Sequence, residues 1–288
     1  MTNSQPEEDW DLEIAPRNSL FDLHLKDTWH YRDLLWLLVR RDFVSFYKQT
    51  ILGPLWFFVQ PIITILTYTL VFNKLAGINT ENVPAPLFYL AGTIIWNYFS
   101  DCLNKTSTVF KDNAAMLGKV YFPRLIMPIS IVCSNLIRFA VQFALFIALM
   151  IIFNVRGFTL VPNAIALLFP LLILLIAALG LGLGMMVSAV TTKYRDLVFV
   201  VSFGVPLLMY ATTVIYPLST ALNKYPAYSW IIKYNPVTAI IETFRYGFLG
   251  QGSFSWGLLG YSAGVTFIIL LLGIMTFNKV EKTFIDTI

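Results

Sequence analysis

Charge is what this sequence has least of. Asp, Glu, Lys and Arg make up 12% of its 288 residues and apolar types 57%, whereas an ordinary soluble domain is about a quarter charged. A soluble fold of this length must clothe its surface in polar groups, and this composition excludes that. A chain solvated by lipid has no such need. Histidine is almost missing: His24 and His30 both precede the first long apolar run, which excludes a histidine relay inside a membrane. Cysteine is as scarce. Cys102 and Cys133 lie in or beside apolar segments and read as small packing residues, and no Cys/His grouping has metal-ligand spacing. A phosphate-cradling loop is also missing, because Gly118-Lys119 is followed by Val120 with no glycine five residues before Gly118. Any ATP hydrolysis that drives this protein therefore belongs to another polypeptide. Gly180, Gly182 and Gly184 stand in an uncharged run with no strand before it; they read as small residues that let helices approach closely, not as a dinucleotide fingerprint.

What is present is a series of long apolar runs. A bilayer core of about 30 Å needs about 20 helical residues. Six runs answer to this: Ile51–Phe72, Val83–Ser100, Leu125–Phe153, Ile165–Val190, Leu197–Tyr216 and Trp256–Phe277. They do not alternate as barrel strands do, so the expected fold is all-α, with six transmembrane helices. Pro54 and Pro61 should bend the first span. The second should extend past Asp101 and Lys105, which stand four apart and can pair near the cytoplasmic interface. With the N-terminus inside, Lys26, Arg32, Arg40, Arg41, Lys48, Lys105, Lys111, Lys119, Arg124, Lys193, Arg195, Lys279 and Lys282 are cytoplasmic. The outer side keeps only Lys74, Arg156, Lys224, Lys233 and Arg245. That bias predicts both termini inside. The first residues carry Glu7, Glu8, Asp9, Asp11 and Glu13 with no apolar core, so 1–27 is expected to be a cytoplasmic tail rather than a cleaved signal. A second tail is expected at 280–288, bounding a six-helix transmembrane domain over 51–279. The net charge of +4 is spread between apolar blocks rather than along one face, which argues against a nucleic-acid partner.

Three stretches do not span. Residues 28–50 predict an interfacial amphipathic helix, its stripe made of Tyr31, Leu35, Leu38, Val39 and Phe46 and interrupted by Asp42, with Arg40, Arg41 and Lys48 opposite. Residues 111–124, framed by Pro123 and Pro128, predict a compact basic elbow. Residues 217–252 are broken by Pro217, Pro226 and Pro236 yet rich in aromatics, including Tyr225, Tyr228, Trp230, Tyr234 and Phe244. Short helices dipping into the outer leaflet fit that pattern.

Arg138 is the one charge deep within a span. Such a charge is costly unless it meets protein, water or a ligand; it reads either as a functional residue or as an arginine bonded to neighbouring carbonyls. Most aromatics suit interfacial belts. In the first span, however, Trp56, Phe57, Phe58, Tyr68 and Phe72 run along the whole length. Flat rings stack on the CH faces of sugars without demanding one linkage, and so suit a sliding polar chain.

The segment Tyr47-Lys48-Gln49-Thr50-Ile51-Leu52-Gly53-Pro54-Leu55-Trp56, followed by Gln60-Pro61, opens an ordered set. It continues with Lys119-Val120-Tyr121-Phe122-Pro123-Arg124, Lys193-Tyr194-Arg195-Asp196-Leu197 and Tyr234-Asn235-Pro236. Over nearly the whole chain this set resembles the permease subunits of bacterial polysaccharide ABC exporters, the membrane halves of O-antigen, capsule and teichoic-acid transporters. The resemblance implies a bacterial inner-membrane homodimer forming one channel above two copies of a separate ATPase, which binds ATP and Mg; this chain itself carries no cofactor and is not an enzyme. It implies that the elbow is a coupling helix, with Lys111, Lys119, Tyr121, Phe122 and Arg124 at the ATPase. It implies that the amphipathic helix flanks the cytoplasmic entrance and that the outer helices are re-entrant. The substrate would be a lipid-linked glycan, its pyrophosphate head drawn by Arg40, Arg41 and Lys48, which anionic membrane lipid would occupy equally well. The pathway residues would be Trp56, Phe57, Phe58, Tyr68, Phe72 and Arg138. Arg138 matches no motif of the family.

Three rivals stand beside this reading. An exporter of the same architecture for a small hydrophobic molecule or lipid would have an aliphatic pathway. A membrane-embedded lipid-phosphate enzyme would need paired acids, and Asp101, Asp112 and Asp196 are few and separated. An ion channel would show a filter-like loop or a charged ring.

Overall fold

The computed structural model describes residues 29–284, apart from 49, 118–121, 195 and 225; the side chains of 46, 47, 117 and 281–284 lie outside it as well. The expected tail at 1–27 and the Phe46 member of the amphipathic stripe therefore fall outside the described residues. Every regular element among those described is helical.

Helix α1 (Arg32–Tyr47) precedes a 3-10 turn, Gly53–Leu55, that leads into α2 (Trp56–Tyr68). Pro54 sits in that turn, where a missing N–H costs nothing, so it starts the helix rather than bending it. Pro61 does lie inside α2, and a π-helical stretch, Thr69–Leu75, completes the rod. Helix α3 (Ala85–Ser107) follows, then two four-residue turns, α4 (Val109–Asp112) and α5 (Ala114–Leu117). Helix α6 (Ile126–Val155) is next, then a 3-10 turn, Ala164–Leu168, capped by Asn163 and leading into α7 (Phe169–Thr191). The remaining helices are α8 (Leu197–Tyr210), α9 (Leu218–Lys224), α10 (Ser229–Lys233), α11 (Pro236–Leu249) and α12 (Trp256–Phe284).

Four rods are long and apolar enough to cross a membrane: Gly53–Leu75, Ile126–Val155, Ala164–Thr191 and Trp256–Val280. Two expected spans differ. Helix α3 has the length but carries Asn97, Asp101, Asn104 and Lys105. Most of its residues are buried in protein, so its partners are side chains rather than lipid. Helix α8 stops at Tyr210, short of the expected Tyr216. The chain turns there, and the Thr213 and Val214 carbonyls accept hydrogen bonds from Arg245 instead of continuing the helix.

The glycines explain the central packing. Helix α7 lies between α3 and α12. A Cβ on Gly180 would stand 3.0 Å from the Phe99 carbonyl oxygen, and one on Gly184 2.6 Å from Thr106 Cβ, both on α3. A Cβ on Gly182 would stand 2.9 Å from Leu270 Cα on α12. The expected close approach of helices is the arrangement found, on two faces of α7 at once.

Two clusters divide the interior. The larger one runs the length of α3 and takes in α6, α7, α8 and α11. Its densest part is aromatic: Phe143 and Phe169 stack at 4.3 Å, and Phe244 lies 4.8 Å from Phe248. These rings hold α11, whose residues are nearly all buried, so this stretch of the broken segment is packed within the chain. The smaller cluster joins Leu38 of α1, Val109 and Phe110 of α4, Phe122, Ile126 and Met127 around the start of α6, Met185 of α7 and Phe277 of α12. The chain's first described helix, its elbow and the end of its last helix meet there.

Candidate functional site

The elbow is α4, α5 and the approach to α6. Its inner side is fixed: Phe110 is 2% exposed and stacks on Phe277 at 4.6 Å, and just before the elbow the Thr191 hydroxyl donates to the Ser107 carbonyl at 2.8 Å, tying the end of α7 to the end of α3. Its outer side is polar, with Lys111 and Asp112 exposed. Of the residues expected at an ATPase, Lys111 faces outward. Phe122 and Arg124 do not; both are buried, so they anchor the elbow to its own chain. Lys119 and Tyr121 lie outside the described residues.

Helix α1 packs on α6 through Leu38 and Val39, with Tyr31 and Leu35 partly buried as the stripe predicts. Arg40, Arg41 and Lys48 are exposed. Arg41 is committed to Asp42 at 2.8 Å. Trp36 and Leu37 are exposed too, so the far face of α1 is mixed rather than purely basic, as suits a helix lying at a lipid interface.

The five aromatics of the first span do not form one wall. Phe57 is buried and lies 5.8 Å from the Phe43 ring of α1. Tyr68 and Phe72 meet Tyr89 of α3 at 6.1 and 6.4 Å, and the Tyr68 hydroxyl donates to Met209 Sδ of α8 at 3.7 Å. Spacings of four and eleven residues put Phe57, Pro61 and Tyr68 on one inward face. Trp56 and Phe58 are exposed on the other. Sequence reasoning missed a better aromatic face. Phe199, Phe203 and Tyr210 of α8 are 77%, 71% and 56% exposed, and their spacing of four and seven was the available signal.

At the elbow end of the rods, Arg138 Nη1 donates to Asp101 Oδ2 at 2.7 Å, and its guanidinium stands 5.8 Å from the Phe57 ring. Asp101 therefore pairs across helices, not with Lys105 as its spacing suggested. Lys105 Nζ donates instead to Asn135 Oδ1 at 2.8 Å, and Asn135 Nδ2 reaches Cys102 Sγ at 3.8 Å. Asp42, Lys105, Ser134, Asn135 and Arg138 open on one small cleft. Of the other acids once weighed for catalysis, Asp112 accepts from the Thr108 hydroxyl at 2.6 Å, away from Asp101. Among the described residues no three His, Cys, Asp or Glu side chains gather as metal ligands.

A second charged pair went unread in the sequence. Arg245 and Glu242, one turn apart on α11, have side chains 1% and 2% exposed. Arg245 donates to the carbonyls of Thr213, Val214 (2.8 Å) and Phe88 (3.3 Å), and lies 3.6 Å from the Phe88 ring centre. Glu242 accepts from the Ser253 N–H at 3.1 Å.

The sequence profile of the ABC-2 type transporter matches residues 33–249, from α1 to the end of α11. The O-antigen export system permease protein RfbA of Myxococcus xanthus is 30% identical over 221 residues, 77% of this chain and 82% of that protein. A Klebsiella pneumoniae protein of the same name is 26% identical over 257 residues, 88% of this chain and 94% of the relative. The polysialic acid transport protein KpsM of Escherichia coli is 24% identical over 239 residues, 82% and 89% of the two chains. Apolar rods, an anchored elbow and a match over most of the chain lead to one conclusion: it belongs to the ABC-2 type transporter family, as a multi-pass membrane permease that is the transport component and works with a partner ATPase.

Proposed function

We propose that this chain is the channel-forming permease of an exporter of lipid-linked polysaccharide, O-antigen-like or related, across the bacterial inner membrane. The observation that carries the reading is the elbow: polar outside, locked inside by Phe110 on Phe277, and preceded by the Thr191–Ser107 bond between α7 and the end of α3. A push from an ATPase below is passed directly to α7 and α12. The export systems named for the relatives handle O-antigen and polysialic acid, both polysaccharides, and this supports a polysaccharide cargo.

In this reading six rods span, with α3 and α8 added to the four long apolar ones, and both termini are cytoplasmic. The convergence of α1, the elbow and the end of α12 on one cluster supports that orientation. Two copies, with two ATPase copies beneath, enclose the path. Exposed Trp56 and Phe58 on α2 and Phe199, Phe203 and Tyr210 on α8 are its aromatic wall, the two helices being joined by Tyr68 and Met209. ATPase closure moves the elbows, the rods shift, and a glycan slides over rings that bind each sugar weakly.

One observation favours a second reading. The exposed face of α2 and its π-helical extension beyond Phe58 is aliphatic, with Ile63, Leu66 and Leu70 at 56%, 63% and 57%, and an aliphatic wall suits a small hydrophobic cargo. Deletion of the chain separates the two. Polysaccharide export predicts lipid-linked glycan held inside the cell and a bare surface, both reversed by the restored gene. Normal surface glycan with new sensitivity to hydrophobic compounds would replace the first reading by the second.

A further inference from the structure

The cleft between α1, α2, α3 and α6 holds more charge than a helix junction requires. Asp42 enters from α1, Lys105 from α3, and Ser134, Asn135 and Arg138 from α6, with Phe57 of α2 as an apolar wall. Arg138 is balanced by Asp101 at 2.7 Å, and Asp42 by Arg41 at 2.8 Å. Lys105 differs. Its ammonium donates to a neutral amide oxygen, that of Asn135, at 2.8 Å. Among the described residues no carboxylate stands within ion-pair distance of it. One positive charge is left over.

Asn135 is itself 2% exposed, while Lys105 remains exposed. A buried amide thus orients an accessible ammonium. That ammonium has three donors with one in use, beside a guanidinium with five N–H groups. Apolar side chains would close a purely structural junction at less cost, since polar and charged groups inside a membrane protein are expensive. Two neighbouring cations, one of them with no carboxylate in ion-pair contact among the described residues, are what a multiply charged oxyanion requires.

The cleft itself, about 20 Å³, has room for little more than a water; we propose that its mouth is a seat for a phosphate or diphosphate group, held by Lys105 Nζ and the Arg138 guanidinium, with Asn135 orienting the lysine. Asp42 on the facing wall opposes the anion, and Arg41 moderates that opposition. The ligand's origin rests on the export reading, which supplies a lipid-borne diphosphate at the cytoplasmic leaflet; the chemistry of the seat accepts a glycerophospholipid headgroup or free pyrophosphate as well.

The test uses the full chain with its partner ATPase in nanodiscs of zwitterionic lipid. Polyprenyl diphosphate is the probe and uncharged polyprenol its control. Lys105→Gln should weaken diphosphate binding about ten- to hundredfold, the scale of a lost charge-assisted bond, and leave polyprenol binding alone. Glutamine still donates to Asn135, and an unchanged melting temperature verifies the fold. Lys105→Arg should retain most binding, and Asp42→Asn should tighten it a few-fold. Inorganic pyrophosphate competing for the site marks a seat that reads the free head group. Competition by phosphatidylglycerol discs marks a general lipid headgroup seat, and binding of the polyprenyl form alone marks a carrier-specific one. All three support the proposal if Lys105 governs them. Unchanged diphosphate binding in Lys105→Gln, or an equal loss of polyprenol, overturns it. The export reading fails separately, as a wild-type complex that binds diphosphate in a Lys105-dependent way yet moves no glycan.

Discussion

Arg138–Asp101 and Arg245–Glu242 are the same chemical pair in two settings. The first is open, its side chains 18% and 30% exposed, and joins α6 to α3 beside a cleft. The second is sealed at 1% and 2%, and Arg245 spends its donors on backbone carbonyls from α3 and from the turn after α8. The difference teaches what each is for. A sealed pair surrounded by carbonyls fixes three pieces of backbone, and losing one member strands the other without solvent. A partly open pair contributes less to stability, because water and neighbouring groups screen it, and the ligand seat proposed beside it would use that access.

The largest effect that sharpens this contrast is Arg245→Met. It strands buried Glu242 and should cost about 3–5 kcal/mol, read as a fall in the thermal midpoint of the protein in detergent. Arg245→Met with Glu242→Met should regain only part of that loss, because the stranded charge is removed while the Thr213, Val214 and Phe88 carbonyls and the Ser253 N–H still lack the partners they had. Next comes Gly92→Ala. The new methyl would lie 2.6 Å from Arg245 Nη2 and 2.8 Å from the Val214 oxygen, an overpacking worth about 1–3 kcal/mol in the same melt. Arg138→Gln is the smallest in stability, under about 1 kcal/mol, yet should lower export several-fold. A melt shifted as far as that of Arg245→Met would erase the distinction between the two pairs.

Much of the architecture was legible because it follows from hydrophobic length. The rods, the elbow, the amphipathic α1 and the glycine face of α7 all follow from apolar run length, proline placement and residue size. The end of α8 was not legible. The one proline of Leu197–Tyr216, Pro206, lies inside the helix and does not end it, and it is Arg245, some thirty residues away, that captures the Thr213 and Val214 carbonyls. The candidate site was read in part. Arg138 stood out as a lone charge, but its partner Asp101 is 37 residues distant, and helical spacing pointed Asp101 to Lys105. Phe122 and Arg124 carried the family motif, which marks a place in the fold without saying which side chains turn inward. Among the aromatics, ring count favoured α2. Exposure favours α8, because α3 covers Tyr68 and Phe72.

The central claim is that this permease conducts only when a separate motor acts on its elbow. Translocation of lipid-linked glycan into proteoliposomes, with ATP and with or without the partner ATPase, tests it directly. The account predicts no ATP hydrolysis and no translocation by the permease alone, and ATP-dependent translocation once the partner is added. Hydrolysis or glycan movement by the permease alone would contradict it.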